Sequence, residues 1–248
     1  MQLFSTVETQ ANEGDKKSWL ALQRAVRRSN GKYAYLEIGS YVGGSIQPHL
    51  LDPNCAKIFS IDKRTFETPD DRASLDYAYQ YENNVTERML QNLRLVDSNQ
   101  MSKIVCFDSD ACEVSPAAIE QPADICFIDG EHTKAAVLSD FQFCLKVCAP
   151  NAAIYFHDAD VIYPALAEIE QSLRTRNIPF VGLKLLGATY LIALRGSPVC
   201  RDSFVRSLAT NGRRFIRQRQ LAALVKRHLP QGFLLIGRTI GKRLLRLV

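Results

Sequence analysis

Tyr33-Ala34-Tyr35-Leu36-Glu37-Ile38-Gly39-Ser40-Tyr41-Val42-Gly43-Gly44-Ser45 decides the fold class. Its first six residues are almost all apolar or aromatic and read as a buried strand. Glycines then break the run, which lets the backbone take positive φ and approach a neighbour closely. Outward from this stretch the same design recurs. Short apolar runs at 57–62, 103–108, 123–129 and 152–158 each end in an acid: Asp62, Asp108, Asp129 and Asp158. Helix-like segments lie between them. Residues 15–30 place Trp19, Leu20, Leu22, Ala25 and Val26 on one face before an Asn30-Gly31 stop, and further helices are expected near 85–93, 133–147 and 164–174. Strands alternating with helices predict a doubly wound α/β fold, a parallel sheet covered on both faces. Residues 180–186 and 189–195, joined at Gly187-Ala188, read as a hairpin that adds one antiparallel strand. Residues 65–92 are polar and tyrosine-rich, with Pro69-Asp70-Asp71 as a breaker, and suggest a loop or lid ahead of the 85–93 helix.

The chain has 248 residues, 46 % hydrophobic and 23 % charged, enough for one large α/β domain plus an extension and too apolar for global disorder. Its net charge of +5 is unevenly placed. Residues 201–248 hold 12 of the 31 Lys and Arg side chains and a single acid, Asp202, so the body is mildly acidic and the tail strongly basic. Seven cysteines occur with no Cys-x-x-Cys pair, which points to reduced core thiols in a cytosolic protein rather than a zinc site or a disulfide framework. The N-terminus lacks the pattern of a signal peptide, and no run reaches the ~18 apolar residues of a membrane span, so a cytoplasmic location is expected. Three parts follow: an N-terminal helical segment over 1–30, a ligand-binding domain over 31–198, and a basic amphipathic extension over 199–248.

In open α/β sheets, ligands bind beyond the carboxyl ends of the strands. One acid at that edge is an ordinary helix cap. The row formed by Glu37, Asp62, Asp108, Asp129 and Asp158 is harder to explain that way. Glu37 beside the Gly39 turn would repel a pyrophosphate but attract the sulfonium and ammonium of S-adenosylmethionine. Gly39, Ser40 and Gly43 would then cradle that donor. Asp62 is placed to accept from both ribose hydroxyls, with helix capping as its alternative role. Asp108-Ser109 is placed to meet the adenine amino group, with Asp110 competing. The most distinctive segment is Phe127-Ile128-Asp129-Gly130-Glu131-His132. Asp129 and His132 can face one cleft, and imidazole is the side chain suited to take a proton near neutral pH. His132, Asp129 and His157 are the candidate catalytic set. Asp129, His157 and Asp158 could also hold a divalent ion, Mg²⁺ by its preference for carboxylates or Mn²⁺ by its tolerance of imidazole, which would orient a substrate hydroxyl. The other reading of those residues is a hydrogen-bonded His–Asp pair without metal.

Glu37 to Ser45, Ile61-Asp62, Phe127 to His132 and Phe156-His157-Asp158 together resemble the class I S-adenosylmethionine-dependent methyltransferases. Within them, Asp129-Gly130-Glu131-His132 followed by His157-Asp158 resembles the small-molecule and sugar O-methyltransferase group. The resemblance spans about residues 30–196. It implies a Rossmann-like seven-stranded sheet with the last strand antiparallel, methionine-moiety contacts at Glu37 and Gly39, and ribose contact at Asp62 and donor contact at Asp129. It also implies a general base at His132 and magnesium ligation at Asp129, His157 and Asp158. This chain departs from the group in having His157 where an acid is usual, and in lacking the middle glycine of a Gly-x-Gly-x-Gly loop.

The basic extension interleaves Arg213, Arg214, Arg217, Arg219, Lys226, Arg227, Lys242, Arg243 and Arg246 with leucine, isoleucine and phenylalanine. Three roles fit: packing against the domain or a second subunit in a homo-oligomer, lying peripherally on the anionic inner membrane surface, or binding nucleic acid. The last is disfavoured because only phenylalanine there could stack on bases. Rival readings of the whole chain are an NAD-dependent oxidoreductase, a non-catalytic scaffold with this fold, and an RNA methyltransferase.

Overall fold

A computed structural model describes residues 2–71 and 78–228. Strand β1 (Tyr33–Ile38) is buried along its whole length. It pairs in parallel with β2 (Cys55–Ile61) on one side. The polar segment that follows contributes a small separate hairpin of β3 (Glu67–Pro69) and β4 (Ala78–Gln80). The main sheet continues through β5 (Ile104–Phe107), β6 (Ala123–Ile128), β7 (Cys148–Phe156), β8 (Phe180–Lys184) and β9 (Tyr190–Leu194). Its order is β5-β2-β1-β6-β7-β9-β8, closed at the far edge by β10 (Thr210–Asn211). Strands β5, β2, β1, β6 and β7 are mutually parallel, and β9 runs antiparallel between β7 and β8. The antiparallel last strand of the expected seven is therefore present. An eighth strand is added by Thr210-Asn211, too short to carry any periodic signal.

Helices cover both faces. Helix α1 (Glu13–Asn30) starts in a capping box, with the Asn12 side chain accepting from the N–H groups of Gly14 and Asp15 and the Asp15 carboxylate accepting from the Asn12 N–H. Its Trp19, Leu22 and Val26 pack with Tyr35, Phe127 and Tyr155 on one side of the sheet. After the one-turn α2 (Gln47–Leu50), helix α3 (Thr86–Asp97) buries Met89 and Leu93 in the same layer. On the other side, α4 (Lys134–Val147) and α5 (Ala159–Thr175) pack Val137, Phe141, Leu166 and Ile169 against Leu36, Phe59 and Ile154. The order in which successive strands are added reverses between the parallel neighbours β1 and β6, so the connections leave those two carboxyl ends toward opposite sides and open a crevice there.

Residues 5–12, inside the segment expected to be helical, form an irregular strap across the glycine loop. The Gln47 side chain accepts from the Thr6 and Val7 N–H groups at 3.1 and 2.8 Å and donates to the Val7 and Gly44 carbonyls. A Cβ on Gly44 would strike the Glu8 carbonyl, which is why the strap can lie so close. Of the basic extension, α6 (Ser203–Leu208) and α7 (Gly212–His228) follow β9, and Ile216 joins the main core. Its remainder, 229–248, lies outside the described residues. No helix among the described residues is long and apolar enough to cross a membrane.

Candidate active site

Gly39 ends β1 at the switch point. It has φ +90°, and a Cβ there would overlap the Asp129 carbonyl and the Gly130 Cα. The Asp129 N–H donates to the Ile38 carbonyl and so holds these two segments together, and the Gly39 N–H donates to the Ile61 carbonyl of β2, both at 2.9 Å. A cavity of about 570 Å³ opens beyond this point, lined by Gly39, Asp62, Asp110, Asp129, His132 and Asp158 among others. A second, of about 310 Å³, lies under the strap against Ser40, Ser45, Arg88 and Asn92. Gln10, Gly39, Tyr41 and Asp129 line both, so the two form one continuous cleft.

Asp62, just past β2, organises the glycine loop. Its carboxylate accepts from the Tyr41 and Arg64 N–H groups, both at 2.8 Å, and from the Asn84 amide at 3.2 Å. Tyr41 is held at φ +40° and stacks edge-on with Tyr81, whose ring meets Tyr79 at 4.9 Å. Gln10 from the strap donates to the Tyr79 hydroxyl at 3.2 Å. The tyrosine-rich 65–92 segment therefore walls the cleft, as a lid would. Residues 72–77 of that segment lie outside the described residues.

Asp129 and His132 do share the cleft, and the structure supplies partners that the sequence reading missed. His132 Nδ1 lies 2.9 Å from Asp70 Oδ2, while Nε2 lies 3.4 Å from Asp129 and 3.7 Å from Asp158. Burial works against its charge, but the carboxylates of Asp129 and Asp70 hold its pKa up to about 9. His157 sits between Asp129 at Nδ1, 3.2 Å, and the buried Asp15 of α1 at Nε2, 3.3 Å. Burial again opposes its charge, and the surrounding carboxylates, Asp129 first, raise its pKa to about 11. Asp129 is in turn held below the usual carboxylate range, since the His157 and His132 charges outweigh its burial.

Three expectations change in this setting. Glu37 is fully buried and lines neither cavity; Tyr35 donates to it at 2.8 Å and Ser45 donates to its other oxygen. Burial pushes its pKa to about 8, so near neutral pH it keeps a proton and offers a ligand little charge. Asp108 does not line the cleft. It accepts from Thr86 and pairs with Arg64 at 3.5 Å, while Ser109 and Asp110 take the cleft positions. Asp110 and Glu131 are bridged by Lys63 at 2.8 and 3.1 Å, which ties the ends of β2, β5 and β6 together. Lastly, the residues expected to bind magnesium do not suit an ion. Both His157 nitrogens face carboxylates, and among the described residues no group of three or more His, Cys, Asp or Glu side chains is arranged to hold a metal. Ser40 meets Ser60 at 2.5 Å and, like Gly43, shapes the loop. All seven cysteines are free thiols.

The sequence model of one family, described as a methyltransferase domain, matches residues 36–159, half of the chain. No curated protein matches. Among solved structures, the calicheamicin methyltransferase CalS11 superposes with a TM-score of 0.55 at 14 % identity, covering 74 % of this chain and 80 % of the other. The O-methyltransferase TomG of Streptomyces achromogenes, from tomaymycin synthesis and solved with its S-adenosylmethionine, gives a TM-score of 0.52 at 14 % identity, with 75 % and 82 % covered. At such identities these likenesses speak to the fold.

Proposed function

The chain belongs to the methyltransferase-domain family, and on that premise we propose that it transfers a methyl group from S-adenosylmethionine to a hydroxyl of a small acceptor, such as a sugar or glycan precursor. The observation that carries this reading is the fence of carboxylates lining the cleft at the switch point, Asp62, Asp129 and Asp158, the last two set against a buried imidazole. A cationic donor is favoured there and a pyrophosphate is not. The donor's ribose fits beside Asp62, its adenine between Ser109, Asp110 and Gly130, and its amino-acid end in the cavity under the strap. The tilted rings of Tyr79 and Tyr81 line the cleft and offer aromatic faces suited to a sugar or aromatic ring.

His132 is the base of this scheme. Asp70 fixes its Nδ1, and its Nε2 faces Asp129 and Asp158, which line the cleft; an acceptor hydroxyl entering beside these carboxylates would lie between His132 and the donor methyl. Holding acceptor and donor in line supplies most of the rate gain, with proton removal adding to it.

Calorimetry with S-adenosylhomocysteine and labelled methyl transfer to a panel of hydroxylated acceptors test the reading. His132→Ala should retain product affinity within a few-fold and lose at least ~100-fold in turnover. Absence of S-adenosylhomocysteine binding, or tight binding of NAD instead, would overturn it.

A further inference from the structure

The two faces of helix α7 meet different surroundings. On one, Phe215 and Ile216 pack against the domain, with Phe215 6.0 Å from the Tyr190 ring, and Arg219 is fixed to Asp160 through its side chain at 3.3 Å and its carbonyl at 3.1 Å. The opposite face forms one stripe at helical spacing: Arg213, Arg214 and Arg217, then Leu221, Leu224 and Val225. Those last three are 62 %, 54 % and 47 % exposed, a clustered apolar surface of the kind that marks an interaction site.

The helix also has a direction relative to the cleft. It starts where Gly212 touches Gly182 in the middle of β8, and by Arg219 it has reached Asp160, two residues beyond Asp158. Residues 220–228 therefore continue past the carboxyl edge of the sheet, by roughly 13 Å at 1.5 Å per residue. This is the side on which the cleft opens.

We infer that this stripe of α7 docks on an anionic lipid bilayer. Charge complementarity selects the partner. From Asp202 to Val248 there is no further acid, and Asp202 itself is occupied in capping α6, whereas residues 1–200 carry more acids than bases. An anionic surface attracts the helix and repels the body, which sets one orientation. The exposed leucines then enter the headgroup boundary while the arginines meet phosphates. Single-stranded RNA suits the stripe less, since it carries no aromatic ring on which bases could stack. The docking does not depend on the methyl-transfer reading.

Flotation of the full-length protein with vesicles tests the inference. Binding is expected to 7:3 phosphatidylcholine–phosphatidylglycerol and not to phosphatidylcholine alone, and should weaken steeply between 0.1 and 0.5 M salt as screening shortens to a few ångströms. Leu221→Glu with Leu224→Glu, and separately Arg213→Glu with Arg214→Glu and Arg217→Glu, should each lower partitioning by roughly tenfold or more, with thermal melts unchanged. The inference is overturned if anionic vesicles are not bound, if folded forms of both variants bind like the parent, or if an RNA oligonucleotide outcompetes the vesicles. Failure to bind S-adenosylhomocysteine would count against the methyl-transfer reading alone.

Discussion

Replacing Asp70 with Asn removes one negative charge from His132 while keeping a partner of the same size. Asp70 is 3 % exposed, and its Oδ2 lies 2.9 Å from His132 Nδ1. A hydrogen bond to a charged group contributes about 1.5–3 kcal/mol, and one pKa unit corresponds to about 1.4 kcal/mol. Loss of the Asp70 charge should therefore lower the His132 pKa from about 9 by roughly 1–2 units. The sign follows from which form Asp70 favours: the carboxylate stabilises the imidazolium, so without it the proton leaves at lower pH. Proton NMR of the imidazole ring between pH 5 and 10 reads this directly in the donor-free protein. With only four histidines in the chain, one His132→Gln spectrum assigns the resonance. In turnover, the limb that rises as His132 loses its proton should move to lower pH, and the plateau should fall because an amide neither orients the ring as firmly nor supports the cation that forms. A His132 pKa in Asp70→Asn equal to or above the parent's would refute the reasoning.

Glu37→Gln should leave S-adenosylhomocysteine affinity within about threefold at pH 7, because the buried acid, with its pKa near 8, already carries a proton there; a tenfold loss by calorimetry would mean its negative charge is used. Gly39→Ala forces a Cβ against the Asp129 carbonyl at φ +90°. That strain should cost more than about 2 kcal/mol, read as a melting temperature lower by roughly 4–8 °C, and an unchanged melt would show that β1 and β6 can part.

Sequence pattern reveals the sheet because four of its five parallel strands are apolar runs closed by an acid and the fifth, β1, runs into a glycine turn, and the local sequence also carries Gly39, Asp62, Asp129 and His132 into the crevice. Partner choice was hidden for a physical reason: contacts between distant segments leave no local signal. Asp70 is 62 residues from His132 and reads as a turn-forming acid in Pro69-Asp70-Asp71. Asp15 carries no sequence signal beyond its place at the start of a helix, yet its carboxylate closes the capping box, accepts from the Ala188 N–H and the Thr189 hydroxyl, and meets His157. Charge state was hidden too. A glutamate in a strand looks ionised until its burial is known, and burial keeps Glu37 protonated. At β5 the strand ends one residue before Asp108, so the turn sends that side chain to Thr86 and Arg64 and gives the cleft to Ser109 and Asp110.

The clustered charges also argue how the proposed reaction would be balanced. Asp15, Asp70, Asp129 and Asp158 surround His132 and His157. A cationic donor entering beside Asp129 would favour loss of the His132 proton, since one positive charge replaces another. Methyl transfer then leaves a neutral product, and the acceptor's proton restores the imidazolium. Net charge in the cleft stays constant, so its fixed carboxylates need little reorganisation. His157, with its pKa near 11, stays charged throughout and acts by holding Asp129 in place. The imidazolium of His157 already occupies the approach to Asp129 that a divalent ion would need, and repels it. Turnover should accordingly stay within about twofold after chelation with EDTA. A loss of about 100-fold, restored by added Mg²⁺, would show that His157 swings away from Asp15 to ligate metal, and would favour the alternative in which an ion lowers the acceptor hydroxyl's pKa before its proton is removed.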